Sequence, residues 1–118
     1  SEYIRLGLDI LRDKKAHTAF SVTSFPYPIY RALQIVDDRL QMIWPEYRYT
    51  RSQDLPEAYH DAGQFYWAVT QHFLDKPNFF SDNAFPVVLP RYLVQDIDTE
   101  EDWVQAELVY RALNHSFD

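Results

Sequence analysis

The sequence contains no cysteine and only two glycines, Gly7 and Gly63, in 118 residues. Without cysteine it forms neither a disulfide nor a thiolate metal site, and this composition suits a cytoplasmic protein. Two isolated glycines cannot build the glycine-rich loops that cradle phosphate groups. If the protein handles a nucleotide, the loop that grips the triphosphate must therefore lie outside this sequence.

Long apolar runs and basic residues are also scarce. No stretch approaches the roughly 20 apolar residues of a membrane-spanning helix, and no secretory signal opens the sequence. Eleven basic against eighteen acidic residues give a formal charge of −7, which repels phosphate backbones. We therefore expect neither a membrane nor a nucleic acid as partner, whereas a small anionic substrate would need only a few arginines or a metal ion.

The chain is rich in hydrophobic residues, at 47%, and in aromatic residues, at 17%, so it has the material for a folded core. Residue periodicity predicts an α/β or α+β order of elements. An isolated glycine in a strand, such as Gly63, often marks a bulge or the close approach of a ligand. The predicted elements are a helix at 3–15, a strand at 18–25, a hairpin of strands 30–36 and 40–44 turning at Asp37 and Asp38, a loop at 45–56, a strand at 59–67, a short helix at 68–74, a strand at 91–97 and a helix at 99–114.

Asp96 and Asp98 stand two positions apart where the predicted strand 91–97 meets the last helix. In a strand this spacing directs both carboxylates to one side while Ile97 points to the core. A carboxylate pair can hold a hard cation such as Mg²⁺, whose other ligands are water and substrate phosphates. Ligands of open α/β sheets also bind at the carboxyl ends of strands.

The same segment has a second interpretation, as an ordinary helix start. Asp98 or Thr99 can act as the N-cap, with Glu101 or Asp102 completing a capping box. An acidic first turn usually reflects capping and the helix dipole alone. Capping does not account for Asp96, which precedes the cap, so the sequence by itself leaves both interpretations open.

The segment 51–67 concentrates side chains that bind anions and sugars. Arg51 can pair with a carboxylate or phosphate, and Gln53 can bind hydroxyl or amide groups. Aromatic side chains can wall a sugar or acyl group, although a core strand of aromatics and a solvated arginine are equally ordinary, and for Phe65 and Trp67 the core is favoured. Arg31 is a further candidate anion ligand. The four histidines show no metal-ligand spacing. The aromatic candidates are Tyr59, Phe65 and Tyr66.

Five segments, in order along nearly the whole chain, resemble the C-terminal half of the acylneuraminate cytidylyltransferases, the CMP-sialic acid synthetases. The segments are 24–33, 42–46, 51–56, 58–67 and 95–103. The run Tyr-Pro-Ile-Tyr-Arg-Ala-Leu at 27–33 and the run Tyr-His-Asp-Ala-Gly-Gln-Phe-Tyr at 59–66 are similar to the pseudaminic acid branch of that family.

The resemblance implies a reaction in which CTP and a nine-carbon acidic sugar give a CMP-sugar and pyrophosphate. The anomeric hydroxyl would attack the α-phosphorus, with Mg²⁺ neutralising phosphate charge and no covalent enzyme intermediate. The family's Asp-x-Asp metal ligands correspond to Asp96 and Asp98, which are therefore the expected catalytic and metal-binding residues. The expected substrate-binding residues are Arg31, Arg51, Gln53, Tyr59, Gly63, Gln64 and Phe65.

The resemblance also implies an architecture. The chain would be the C-terminal portion of a Rossmann-like three-layer nucleotidyltransferase, with residues of about 26–56 forming a β-hairpin region that pairs two subunits in a homodimer. The family's N-terminal half, with its nucleotide loop, has no counterpart in these 118 residues, so we expect this chain alone to be inactive. The alternatives are a CMP-sialate or CMP-legionaminate synthetase and, in another class, a dimerisation module without catalysis.

Overall fold

The computed structural model describes residues 1–115. Packing divides the chain into two units, of which one comprises Ser1–Thr23 and the chain from Asp61 onward, and the other comprises Ser24–His60. None of the helices among the described residues is long and apolar enough to cross a membrane.

The helices and strands follow the predicted order except for the last strand, which forms at Ala84–Val88 instead of at 91–97, and the mixed α/β class is confirmed. The elements are α1 (Glu2–Asp13), β1 (Thr18–Ser24), β2 (Leu33–Val36), β3 (Arg39–Met42), β4 (Tyr59–Ala68), α2 (Thr70–Asp75), β5 (Ala84–Val88) and α3 (Glu100–His115).

Three of the strands form one sheet in the order β4-β1-β5. β1 pairs in parallel with β5, from Thr18 opposite Ala84 to Val22 opposite Val88. As the central strand, β1 is buried almost throughout, which is usual for a strand covered on both faces. β5 lies at an edge of this sheet, where Pro86 is tolerated because its missing N–H need not serve a second neighbour.

The core lies between α1 and one face of this sheet. Leu11, Ala16 and Ala19 form one buried cluster, against which Trp67 and Phe85 pack. A second cluster joins β4 to β5 and the residue that follows it; its members are Ala62, Val87 and Leu89. Gly7 of α1 is buried, and a side chain at this position would meet the aromatic rings of β4.

The Ser24–His60 unit contains the predicted hairpin, β2 paired antiparallel with β3. Asp37 and Asp38 both have positive φ, 51° and 64°, as a two-residue type I′ turn requires. This turn has the right-handed twist of the strands it joins, and aspartate tolerates the left-handed region better than most residues.

One predicted strand is wrong. Residues 91–97 do not form a strand; Arg91–Leu93 is a 3₁₀ turn, and residues 94–98 are irregular. Pro90, with φ −58°, precedes the turn and lacks the N–H that a paired strand would use. The alternation of apolar residues there was misleading, and Ile97, expected in the core, is 43% exposed. The helix that follows, α3, has no buried residue.

Candidate functional site

The Asp96–Asp98 segment lies in irregular chain between the 3₁₀ turn and α3, not at the end of a strand as predicted. Its position is nevertheless fixed at both ends. On one side, the Gln64 side-chain amide donates a hydrogen bond of 2.9 Å to the carbonyl oxygen of Leu93, which ties the turn to β4. On the other side, the segment runs directly into the α3 cap.

Thr99 and Asp102 form the cap of α3. The Asp102 N–H donates to the Thr99 hydroxyl oxygen over 3.1 Å, and the Thr99 N–H donates to Asp102 Oδ2 over 2.9 Å. The Asp98 N–H donates to the same Oδ2 over 3.0 Å. This Asp98 hydrogen bond, and then those of Thr99, lower the pKa of the Asp102 carboxyl. The capping box predicted for this segment is therefore the Thr99/Asp102 pair.

The cap leaves the carboxylates of Asp96 and Asp98 unused. Both residues are exposed, and no hydrogen bond or ion pair within residues 1–115 engages either carboxylate. Two exposed carboxylates are chemically suited to Mg²⁺, which accepts one or two protein carboxylates and takes water or phosphate for its remaining ligands. No group of three or more acidic, histidine or cysteine side chains within residues 1–115 is placed to hold a metal, so the pair would depend on such outside ligands.

Gly63 marks a kink in β4 that lies beside Asp96. Its φ is +69°, and the next two amides, of Gln64 and Phe65, both donate to the Ser21 hydroxyl oxygen on β1, over 3.2 and 3.3 Å. A glycine with a left-handed φ is typical of the first residue of a G1 β-bulge, in which one strand carries an extra residue. A Cβ at Gly63 would lie 3.9 Å from both Cγ and Oδ2 of Asp96, so the structure brings these two predicted site residues together.

A further carboxylate, that of Asp61, lies beside the kink, and sequence reasoning missed it. Asp61 Oδ1 accepts the Gly63 N–H over 2.8 Å, and Asp61 Oδ2 accepts the Tyr66 hydroxyl over 2.5 Å. The hydrogen bond to Asp61, then partial burial and the charges of Asp61 and Asp96, raise the pKa of Tyr66 to about 12. The available signal was an aspartate within a predicted strand, where this residue type is depleted.

The other predicted residues of β4 serve different contacts. Phe65 packs against the Ala62, Val87 and Leu89 cluster and lies beside Gly7 of α1. This is the core position that the sequence favoured for it. Gln64, as described above, uses its side-chain amide to hold the 3₁₀ turn.

Four predicted residues belong to the Ser24–His60 unit. Arg51 Nε pairs with Asp54 Oδ2 at 2.9 Å, and the side chains are 73% and 52% exposed, so this ion pair is weak and exchangeable. Gln53 is exposed in the 3₁₀ turn Ser52–Asp54. Tyr59 is exposed, and partial burial followed by a hydrogen bond and repulsion from Glu57 raises its pKa.

Arg31 differs from Arg51 because it is half-buried. Its Nη1 donates to the carbonyl oxygen of Arg48 at 3.5 Å, at the limit of a hydrogen bond. Its Nε is buried and has no hydrogen-bond partner among the described residues. A buried guanidinium N–H without an acceptor is costly, so Arg31 has donor capacity for an anionic group.

Comparison with known proteins gives two close matches. The chain is 41% identical over 97 residues to pseudaminic acid cytidylyltransferases of two Campylobacter jejuni strains, 81-176 and ATCC 700819; the match covers 81% of this chain and 41% of each relative. The chain is a relative of the pseudaminic acid cytidylyltransferases. A Helicobacter pylori protein named for this activity and for a UDP-2,4-diacetamido-2,4,6-trideoxy-beta-L-altropyranose hydrolase is 34% identical over 87 residues, which is 72% of the chain and 17% of that protein. No family model matches.

The resemblance to the pseudaminic acid branch is thus confirmed. The matched segment is about two fifths of the length of the Campylobacter jejuni cytidylyltransferases, 41%.

Proposed function

We propose that this chain is part of a CMP-sugar synthetase that transfers CMP from CTP to the anomeric hydroxyl of pseudaminic acid and releases pyrophosphate. The observation that carries the proposal is the 41% identity, over 81% of the chain, to proteins named for this activity. The chemistry of the site agrees with it, because Asp96 and Asp98 present two exposed carboxylates that the α3 cap does not use.

Asp96 and Asp98 are the proposed ligands of Mg²⁺, which when bound would neutralise charge on the phosphates of CTP. The chain's own contribution is to hold the two carboxylates in place. The Gln64 hydrogen bond to Leu93 and the Thr99/Asp102 cap fix the two ends of the short segment that carries them. Such fixed positions reduce the reorganisation needed when substrate binds.

Arginines are the proposed anion ligands. Arg31 has a buried Nε that lacks an acceptor among the described residues, and Arg51 can exchange its exposed partner Asp54 for a carboxylate or phosphate at a cost of no more than about 1 kcal/mol. Gln53, Tyr59, Gly63, Gln64 and Phe65 remain proposed sugar-binding residues by resemblance. The phosphate loop for CTP would come from another part of the protein, since this sequence holds only two glycines.

We further propose that the protein is a homodimer and that the hairpin forms its contact. The strand register puts four apolar side chains on one face: Leu33 opposite Met42 and Ile35 opposite Leu40. Three of them are largely exposed, Leu33 at 54%, Ile35 at 75% and Leu40 at 68%. A two-stranded hairpin is barely stable by itself, so a second copy that covers this face would stabilise both.

The alternatives are a synthetase for CMP-sialate or CMP-legionaminate and a dimerisation module without catalysis. The test joins this chain to the amino-terminal half of the Campylobacter jejuni relative and measures pyrophosphate release from CTP with each sugar. Release with pseudaminic acid supports the proposal, whereas release only with sialic or legionaminic acid transfers it to the other synthetases. A folded dimer that releases no pyrophosphate with any of these sugars would instead support a dimerisation module without catalysis.

A further inference from the structure

The kink at Gly63 places Asp61 and Tyr66 on the same side of β4. They are five positions apart, and in a regular strand side chains at an odd separation point to opposite faces. A bulge adds one residue and resets the alternation. The other face shows the same reset, because Ala62 and Phe65, three positions apart, pack in one cluster.

The Asp61 carboxylate then connects the two sides of the kink. Oδ1 accepts the Gly63 N–H over 2.8 Å and Oδ2 accepts the Tyr66 hydroxyl over 2.5 Å. The Tyr66 ring is held independently, against Phe20 and Phe79 with ring centroids 5.5 and 4.8 Å away. The ring contacts therefore fix where the phenol lies, and Asp61 decides which way its proton points.

The direction of that proton sets what Tyr66 offers to a ligand. A phenol has one proton and can both donate and accept. Because the proton is committed to Asp61, the oxygen of Tyr66 can only accept. Tyr66 remains 40% exposed, and a Cβ at Gly63, inside the same loop of hydrogen bonds, would lie 3.9 Å from Asp96. The acceptor thus stands on the face of β4 that approaches the Asp96 carboxylate.

We propose that Asp61 is a positioning residue that fixes the Tyr66 oxygen as a hydrogen-bond acceptor for a hydroxyl or amide N–H of the substrate sugar. This inference rests on the proposed function and adds a selectivity to it. A carboxylate, which only accepts, would be rejected at Tyr66, whereas a hydroxyl or an acylamino group would be bound. Asp61 itself does not touch the sugar; it acts through Tyr66.

The substitution Asp61→Asn tests this with little change of shape. The amide oxygen can still accept the Gly63 N–H, but the amide nitrogen would then donate to Tyr66 and reverse the polarity of the contact. In the protein that joins this chain to the amino-terminal half of the Campylobacter jejuni relative, we expect the KM for the sugar to rise about tenfold, the effect of losing one good hydrogen bond, while kcat changes little. Asp9→Asn, an exposed carboxylate of α1, is the matched control.

A double-mutant cycle separates this role from a structural one. If Asp61 acts through Tyr66, then Tyr66→Phe and Asp61→Asn each raise the KM, and the double variant is no worse than either alone. Additive effects, or a lower melting temperature with an unchanged KM, would overturn the inference.

A readout on the 118-residue chain does not depend on turnover. The ultraviolet titration of Tyr66 is obtained as the difference between the wild type and Tyr66→Phe. When Asp61→Asn is introduced in both proteins, this difference titration should shift to lower pH by about one unit. No shift would overturn the inference even if the enzyme were active. Absence of turnover in the unsubstituted protein that joins this chain to the amino-terminal half of the relative would instead contradict the proposed function.

Discussion

The indole N–H of Trp67 donates a hydrogen bond to the carbonyl oxygen of Ile4 over 2.8 Å, which ties β4 to the first turns of α1. The indole is thereby held directly over Gly7. A Cβ at Gly7 would lie 2.8 Å from Trp67 Cδ1 and 3.1 Å from Phe65 Cε2, closer than carbon atoms normally approach. Gly7 is therefore required by packing, even though glycine weakens a helix.

Gly7→Ala should destabilise the fold. Alanine gains about 1 kcal/mol of helix propensity, but overpacking against a held ring costs about 1–3 kcal/mol, and the hydrogen bond to Ile4 would be distorted as well. We expect a net loss of about 1 kcal/mol in the free energy of unfolding, measured by urea denaturation. Asp9→Ala, an exposed position of the same helix, is the control and should not destabilise. Equal or greater stability in Gly7→Ala would show that the indole moves aside.

Thr99→Ala should weaken the start of α3. It removes the oxygen that accepts the Asp102 N–H, and loss of an N-cap side chain costs about 1 kcal/mol. Circular dichroism and thermal denaturation would measure the loss of helix and of stability. Affinity for Mg²⁺ should fall much less than in the Asp96 and Asp98 variants, because the cap holds one end of their segment but uses neither the Asp96 nor the Asp98 carboxylate. A large fall in affinity would mean that cap and metal site are one unit.

Asp96→Asn and Asp98→Asn should weaken Mg²⁺ binding and leave the helix α3 intact. Each removes a negative oxygen ligand, so Mg²⁺ binding and the Mg²⁺-dependent rate of the active protein should fall at least tenfold, in line with the loss of a charge-assisted contact of about 1.5–3 kcal/mol. Helix content should be retained. Isothermal titration with Mg²⁺ and the pyrophosphate assay would measure these effects, with Glu101→Gln on the first turn of α3 as the control. If the rate and the Mg²⁺ requirement are unchanged, the segment serves only to cap α3 and does not bind the metal.

Tyr66 should make stability depend on pH in the alkaline range. Its folded pKa of about 12 lies above the ordinary value of 10.0. Below pH 10 the phenol is protonated in both the folded and unfolded chains, and the Asp61 hydrogen bond contributes fully. As the pH rises from 10 towards 12 the unfolded chain loses its proton first, so the contribution is lost. Urea midpoints across this range should fall more steeply for the wild type than for Tyr66→Phe. Parallel curves would contradict the prediction.

Charge on the apolar face of the hairpin should disrupt the proposed dimer. Ile35→Lys and Leu40→Lys lie opposite each other on that face, and burying an unpaired charge is strongly unfavourable. Sedimentation should show monomers for these variants. Gln34→Lys and Gln41→Lys, an opposite pair on the other face of the same hairpin, are matched controls and should stay dimeric. If all four variants behave alike, the hairpin is not the contact.

Local sequence signals were sufficient for most of the fold. The hairpin turn at Asp37 and Asp38 and the strand around Gly63 follow from turn chemistry and alternation, which are properties of neighbouring residues. The strand at 91–97 failed because alternation there competes with Pro90, and the proline decided the local backbone. The last helix was predicted at 99–114 and is found as α3, but the sequence does not say that none of its residues is buried.

The candidate site was predictable only in part. Asp96 and Asp98 were found by spacing and resemblance, and the sequence also offered Thr99 and Asp102 for the cap. It could not choose between the two roles, because that choice depends on hydrogen-bond geometry within a few ångströms. Asp61 was missed because its importance comes from a bulge that lets positions 61 and 66 meet, a relationship that simple alternation excludes.

The kink at Gly63 also constrains how this strand can change length during evolution. A regular strand of the same length would put Ala62 and Phe65 on opposite faces, so loss of the kink alone would turn Phe65 and Trp67 toward the Asp96 side and Tyr66 toward α1. Removing one residue from 62–64 as well would restore regular alternation and keep Phe65 and Trp67 facing α1, whereas a one-residue insertion beside the kink would turn them over. We therefore expect related sequences either to keep glycine at position 63 or to lack one residue between positions 61 and 65, and to accept insertions only in the loops on either side.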